Sequence, residues 1–89
     1  MSPSPIVDLN RAVAVAMAEG PERGLRMVDE LADLPELQRY HLFHSARADL
    51  LRRLGRDDEA APAYRRARDL AANPVERAFL ERRLAELGG

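Results

Sequence analysis

The segment LLRRLGRDDEAAPAYRRARDL, residues 50–70, contains the end of one predicted helix, a turn and the start of the next. Gly55 is typical of a helix C-terminus, because glycine adopts the left-handed backbone conformation that ends many helices. Beyond the turn, Ala60, Tyr64 and Ala67 recur at the three- and four-residue spacing of one helix face. Small residues let antiparallel helices approach closely, and the aromatic ring fills the seam between them. The segment therefore predicts a helical hairpin.

A second glycine marks the same pattern earlier in the chain. Gly20 and Gly55 are 35 residues apart, and each ends a long helix just before a shorter amphipathic one. This spacing is close to the period of about 34 residues found in one class of helix-turn-helix repeats. In the earlier unit, Gly24 replaces the first packing alanine and Val28 replaces the aromatic residue. We therefore predict two hairpins of the same type.

Capping and turn residues divide the whole chain into five predicted helices, and no segment alternates with the period of a strand. The helices are bounded by Ser4 and Gly20, by Pro21 and about Asp33, by Glu36 and Leu54, by a cap at Asp57 or Asp58 and about Ala72, and by a cap at Asn73 and Leu87. The connections are only a few residues long, so sequential helices are expected to be antiparallel. We predict one all-α domain of five antiparallel helices spanning residues 1–89.

The segment 50–70 resembles a tetratricopeptide (TPR) repeat, with Gly55 at the turn and Tyr64 at the large aromatic position. The resemblance implies two TPR-like hairpins followed by a C-terminal capping helix, with Arg77, Glu81, Arg82 and Glu86 of that helix facing water.

Three ordered segments resemble the C-terminal extension of a group of bacterial sigma factors. They are SPIVDLNRAVAVAMAEGPERGL (4–25), YHLFHSARADLLRRLG (40–55) and NPVERAFLERRLAEL (73–87). The sigma factors concerned are of the extracytoplasmic-function (ECF) type and carry a TPR-like tail behind their DNA-binding regions. The resemblance implies a regulatory module without promoter-reading residues, whose partners are other sigma-factor regions, RNA polymerase or a regulator. The alternative is an independent small TPR-like adaptor unrelated to transcription.

In TPR arrays the first helix of each pair lines the concave face, where a partner segment binds. On this alignment the partner-binding residues are Asn10 in the first helix and Ser45, Asp49 and Arg52 in the third. The competing interpretation is that two repeats are too few to curve into a groove.

The composition excludes several other classes of function. The chain has no cysteine and a net charge of −1, so neither thiolate metal sites nor a strong attraction to nucleic acid or lipid is expected. The arginines of the last two helices are interleaved with carboxylates, which favours a solvated ion-pair surface over direct nucleic-acid binding. No apolar run reaches the roughly 18 residues of a membrane span, and we expect a cytoplasmic protein.

The sequence contains no pattern typical of an enzyme or of a cofactor site. It lacks a glycine-rich phosphate loop, a nucleophile beside a base, and paired carboxylates at an evident cleft. His41 and His44 have a spacing at which two imidazoles can share a metal, with Asp49 as a third ligand. No further histidine or cysteine completes the set. We therefore predict neither catalytic residues, nor a cofactor, nor a bound metal.

Arg47 occupies the middle of the predicted buried stripe of the third helix, between Phe43 and Leu50 on the helical wheel. An unpaired buried guanidinium is very costly, so the arginine is expected to form a structural buried ion pair or to meet a carbonyl group. The candidate carboxylates on the flanking helices are Asp29, Glu30, Glu59 and Asp69.

The first helix has no polar side chain from Ala12 to Ala18, and these seven residues extend around its whole circumference. We expect the core-facing side to consist of Ile6, Leu9, Val13 and Met17. On the opposite side, Val15 lies where a lone surface helix favours a charge. We therefore predict that the face around Val15 docks the rest of a longer polypeptide or a second copy of the chain. The competing interpretation is an alanine-rich surface of no special role.

Overall fold

The computed structural model describes residues 4–88, which form six helices and no strand. The helices are α1 (Pro5–Glu19), α2 (Pro21–Glu30), α3 (Pro35–Gln38), α4 (His41–Arg53), α5 (Asp57–Leu70) and α6 (Pro74–Glu86). The all-α class is thus confirmed. Residues 1–3 and 89 of the predicted domain lie outside the described part of the chain.

Two helix caps and two glycine turns lie where the sequence predicts them. Ser4 Oγ accepts a hydrogen bond from the Ile6 amide at 3.2 Å, and Asn73 Oδ1 accepts one from the Val75 amide at 2.8 Å. Gly20 and Gly55 have φ angles of 106° and 75°, which side chains with a Cβ rarely adopt. These four residues account for the starts of α1 and α6 and the ends of α1 and α4.

The predicted cap at Asp57 or Asp58 is wrong. Both aspartates lie inside the first turn of α5, and the preceding residue, Arg56, makes no side-chain capping bond to the helix. Carboxylates in a first turn interact favourably with the positive end of the helix dipole without capping an amide. The helix also ends at Leu70, slightly earlier than the predicted Ala72.

The predicted third helix, 36–54, is two helices, so the prediction of five helices is wrong. α3 ends at Gln38, and Tyr40 is extended, with φ −101° and ψ 113°. Leu37 and Phe43 are both buried, although on one continuous helix they would point about 120° apart. The break lets both side chains enter the core.

Side-chain hydrogen bonds stabilise the segment between α3 and α4. The Gln38 amide donates from Nε2 to the Ala32 carbonyl at 2.6 Å. The Gln38 carbonyl lies 2.8 Å from His44 Nε2, so the neutral imidazole donates to it. In a continuous helix that carbonyl would accept a hydrogen bond from the Leu42 amide. The bond from the His44 ring takes the place of this helical hydrogen bond.

The helices pack as a chain of neighbours around one core. α1 packs on α2, α2 on α4, α4 on α5, and α5 on α6. The residues predicted to form the seam of the second hairpin, Ala60, Tyr64 and Ala67, are all buried. Leu80 and Leu84 of α6 complete the core at the other end.

α1 and α2 approach so closely that only glycine fits at position 24. A Cβ at Gly24 would lie 2.3 Å from the Cβ of Ala16 and 3.0 Å from the Ala12 carbonyl oxygen. The glycine that seemed a departure from the repeat pattern is therefore the residue that permits this contact. Without a side chain at this position, the backbones of α1 and α2 can approach each other closely at Ala12 and Ala16.

The predicted core face of α1 is wrong for three of its four residues. The buried residues are Leu9, Ala12 and Ala16, whereas Ile6, Val13 and Met17 are 46%, 37% and 73% exposed. The contact at Gly24 requires small side chains between the helices. The alanines therefore turn inward, and the larger apolar side chains turn outward.

The Gly24→Ala variant tests this contact. We expect its free energy of unfolding to fall by about 1–3 kcal/mol, because the added methyl group overpacks the interface. Alanine has the higher helix propensity, so a purely local effect would have the opposite sign. Chemical denaturation measures the change. Glu30→Ala, at an exposed α2 position, is the control, and adding Ala16→Gly to the variant should restore part of the loss.

His44 makes the stability depend on pH. Burial lowers the pKa of His44 from its ordinary value of 6.5, and the positive charges of Arg66 and Arg47 act in the same direction, against the hydrogen bond to Gln38. The unfolded chain therefore takes up the proton first as the pH falls. We expect the contribution of His44 to be complete above about pH 6.5 and to decline below it. Denaturation of His44→Gln should show a weaker pH dependence than the wild type over this range. An unchanged pH dependence in His44→Gln would contradict the assignment.

Candidate functional site

A cleft of about 430 Å³ lies between α1, α4 and α6, with Tyr64 of α5 reaching into it. α4 supplies most of its length, through side chains that recur every three or four residues along one helix face. These are Leu42, Ser45, Ala46, Asp49, Arg52 and Arg53. α1 contributes Leu9, Asn10 and Val13, and α6 contributes Phe79 and Arg83.

The structure brings four of the five predicted partner-binding residues together in this cleft. Asn10, Ser45, Asp49 and Arg52 all line it. The fifth residue, Val15, is half-buried on α1 and does not line the cleft. Its role in docking or in a dimer through α1 stays a prediction.

The polar side of the cleft is a hydrogen-bonded network around Asp49. Arg52 donates from Nη2 to Asp49 Oδ1 at 2.6 Å and from Nε to the Tyr64 hydroxyl at 3.2 Å. Tyr64 donates to the same Asp49 oxygen at 3.4 Å, and Arg53 Nε lies 3.3 Å from the other one. The Asp49 carboxylate thus orients two guanidinium groups at one end of the cleft.

The environment shifts the pKa values of two members of this network. Hydrogen bonds to Asp49 and then to Tyr64 raise the pKa of Arg52, so its positive charge is permanent. Burial raises the pKa of Tyr64, so its hydroxyl stays protonated and able to donate. The network therefore offers a fixed positive charge at Arg52 and a hydroxyl donor at Tyr64.

The opposite side of the cleft is apolar, and sequence reasoning missed most of it. Val13, Leu42 and Phe79 line the cleft and are at least one-third exposed. Arg83 was missed as well, although its guanidinium carbon lies 5.1 Å from the centre of the Phe79 ring. The spacing of Phe79 and Arg83, one turn apart, is the available signal in the sequence. The TPR resemblance does not use it, because it assigns α6 the role of a capping helix.

Arg47 lies outside the cleft and pairs with Asp29, one of the predicted candidates. Its Nε donates to Asp29 Oδ1 at 2.7 Å. The Arg47 side chain is 30% exposed, so the pair is partly solvated, and the prediction of a buried ion pair is wrong in that respect.

The two histidines have separate partners. His41 Nε2 lies 2.5 Å from Glu76 Oε2, but the two groups are not aligned for a hydrogen bond. His44 is buried and bonded to the Gln38 carbonyl. Within residues 4–88, no three histidine, cysteine or acidic side chains form a group suited to a metal ion. Over the same residues, no helix has both the length and the apolar character needed to cross a bilayer.

Replacing the buried tyrosine tests the network. Tyr64→Phe removes the hydroxyl that bonds Arg52 and Asp49 but keeps the packed ring. We expect the free energy of unfolding to fall by about 1 kcal/mol, the net value of a typical hydrogen bond. Tyr40→Phe is the matched control, at a half-buried tyrosine that lines the cleft and is not part of this network. Equal stabilities of the wild type and Tyr64→Phe would show that the hydroxyl bonds contribute nothing to folding.

Comparison with known proteins finds similarity to an uncharacterized protein and assigns no family. No protein-family profile matches the chain, and no solved structure matches it. The chain is similar to the uncharacterized protein R00370 of Rhizobium meliloti (strain 1021), with 46% identity over 87 residues. The match covers 98% of this chain and 20% of the relative, so the chain spans about a fifth of that protein's length.

Proposed function

We propose that the chain is a TPR-like protein-interaction module whose cleft binds a segment of a partner protein. In this interpretation, α1–α2 and α4–α5 are the two hairpins and α6 is the capping helix. The order of packing, from α1 to α2, α4, α5 and α6, supports it. The short helix α3 is then an additional turn in the connection between the hairpins.

The observation that carries the proposal is the shared cleft of α1, α4 and α6. These are the first helices of the two hairpins and the cap, which are the helices that form the concave face of a TPR array. Their side chains offer both apolar contact, through Val13 and Leu42, and polar contact, through Asn10 and Arg52. A mixed surface of this kind suits recognition of a polypeptide segment.

The chemistry of the cleft favours binding over catalysis. Asp49 is engaged by two arginines and a tyrosine and is therefore a poor general base. The Ser45 hydroxyl donates to the carbonyl of Leu42 on its own helix, at 3.3 Å. Neither group has the environment that activates a nucleophile.

We further propose that the module is the regulatory tail of an ECF-type sigma factor and acts in the cytoplasm. Three segments of the chain resemble such tails, and a module that covers a fifth of its relative is compatible with a role inside a longer polypeptide. The partner is then another region of the sigma factor, RNA polymerase or a regulator. No direct contact with nucleic acid or membrane, and no cofactor, is part of this proposal.

Binding of the purified chain to a tailless ECF-type sigma factor, alone and with core RNA polymerase, tests the proposal. We expect the wild-type chain to bind. In Ser45→Trp the affinity should fall about tenfold or more, because the indole ring fills the cleft. Arg65→Trp places the same side chain on an exposed part of α5 outside the cleft and should bind normally. Biolayer interferometry measures both variants. Absence of binding to either component would overturn the assignment to transcription in favour of an independent adaptor.

A further inference from the structure

The cleft carries positive charge although the chain as a whole has a net charge of −1. Three arginines and one aspartate line it: Arg52, Arg53, Arg83 and Asp49. Asp49 is already paired with Arg52 and Arg53, and Glu86 pairs with Arg83 at 3.0 Å. Even with both carboxylates counted, an excess positive charge remains at Arg52 and Arg53.

Charge and apolar surface are separated along α4. Leu42 and the arginines Arg52 and Arg53 are about three helical turns apart on this helix, roughly 16 Å. On α6 the two are in contact instead, because the Arg83 guanidinium carbon lies 5.1 Å from the centre of the Phe79 ring. Along α4, an occupant therefore meets apolar side chains in one part of the cleft and guanidinium groups in another.

An exposed apolar row on α1 continues the helix face that Val13 presents to the cleft. Ile6, Val13 and Met17 share this face and are exposed, and Val13 is the member of the row that lines the cleft. The row covers twelve residues of helix, from Ile6 to Met17, roughly 16 Å from end to end. This length suits a polypeptide segment of several turns better than a small molecule.

We propose that the cleft binds an acidic amphipathic segment of a partner protein. Its apolar side chains contact Val13, Leu42 and Phe79, and its carboxylates pair with Arg52 and Arg53. The inference rests on the proposed function and adds the chemistry of the partner. A second copy fits less well, because a symmetric dimer would place this basic surface against itself.

A library of displayed random peptides, each of about twelve residues and long enough to cover the row on α1, provides the test. The bait is the 89-residue chain, with Ser45→Trp for counter-selection. We expect the enriched peptides to combine aspartate or glutamate with leucine, isoleucine or phenylalanine. Their affinity should fall as salt is added, because exposed charge pairs are screened.

Charge reversal at Arg53 tests whether this arginine pairs with the acidic residues of the peptide. Arg53→Glu should lower the affinity for an enriched peptide about tenfold. A peptide with its acidic residues changed to arginine should bind this variant with much of the lost affinity restored. Arg65→Glu makes the same change outside the cleft and should leave the affinity unchanged. Circular dichroism will show whether the reversed charge beside Asp49 unfolds the protein. If it does, Arg53→Ala replaces Arg53→Glu, with a smaller expected loss of affinity.

Two results overturn the inference in distinguishable ways. If the enriched peptides bind the wild type but not Ser45→Trp, and contain no excess of aspartate or glutamate, the proposed partner chemistry is refuted and the proposed interaction module stands. If no enriched peptide loses affinity in Ser45→Trp, both the inference and the use of the cleft for binding are refuted.

Discussion

The contact between Gly24 and Ala16 determines which side of α1 faces the core. Two helix backbones that approach this closely exclude every side chain larger than a methyl group from the seam. Ala12 and Ala16 meet that requirement, and Leu9 packs at the edge of the same face. The remaining large apolar residues of α1 are displaced to the outside. The composition of the cleft follows, because Val13 reaches it only in this rotation of the helix.

Tyr64 couples the core to the cleft. Its ring is buried in the second hairpin, while its hydroxyl contacts Arg52 and Asp49 on α4. The guanidinium group of Arg52 is therefore held by a residue that cannot move without disturbing the core. A charge held in this way loses little side-chain entropy when a partner pairs with it, and such preorganisation strengthens binding.

Local signals predicted much of the fold, and tertiary contacts account for the errors. The caps Ser4 and Asn73 and the turn glycines act within a few residues, so the sequence alone located them. The rotation of α1 depends on Gly24 of another helix, and the break before α4 depends on the bond from His44 to Gln38. Neither is visible in helical periodicity. For the cleft, the repeat register located the polar residues of α1 and α4, whereas Phe79 and Arg83 required the packing of α6.

The exposed row of α1 can change without disturbing the core. Ile6, Val13 and Met17 contribute little to the interior, so substitutions there change the surface offered to a partner at small cost in stability. Gly24 and the alanines opposite it allow no such freedom. For the interaction that we propose, the exposed row of α1 is therefore the place where substitutions can change the partner surface while the contact with α2 is kept.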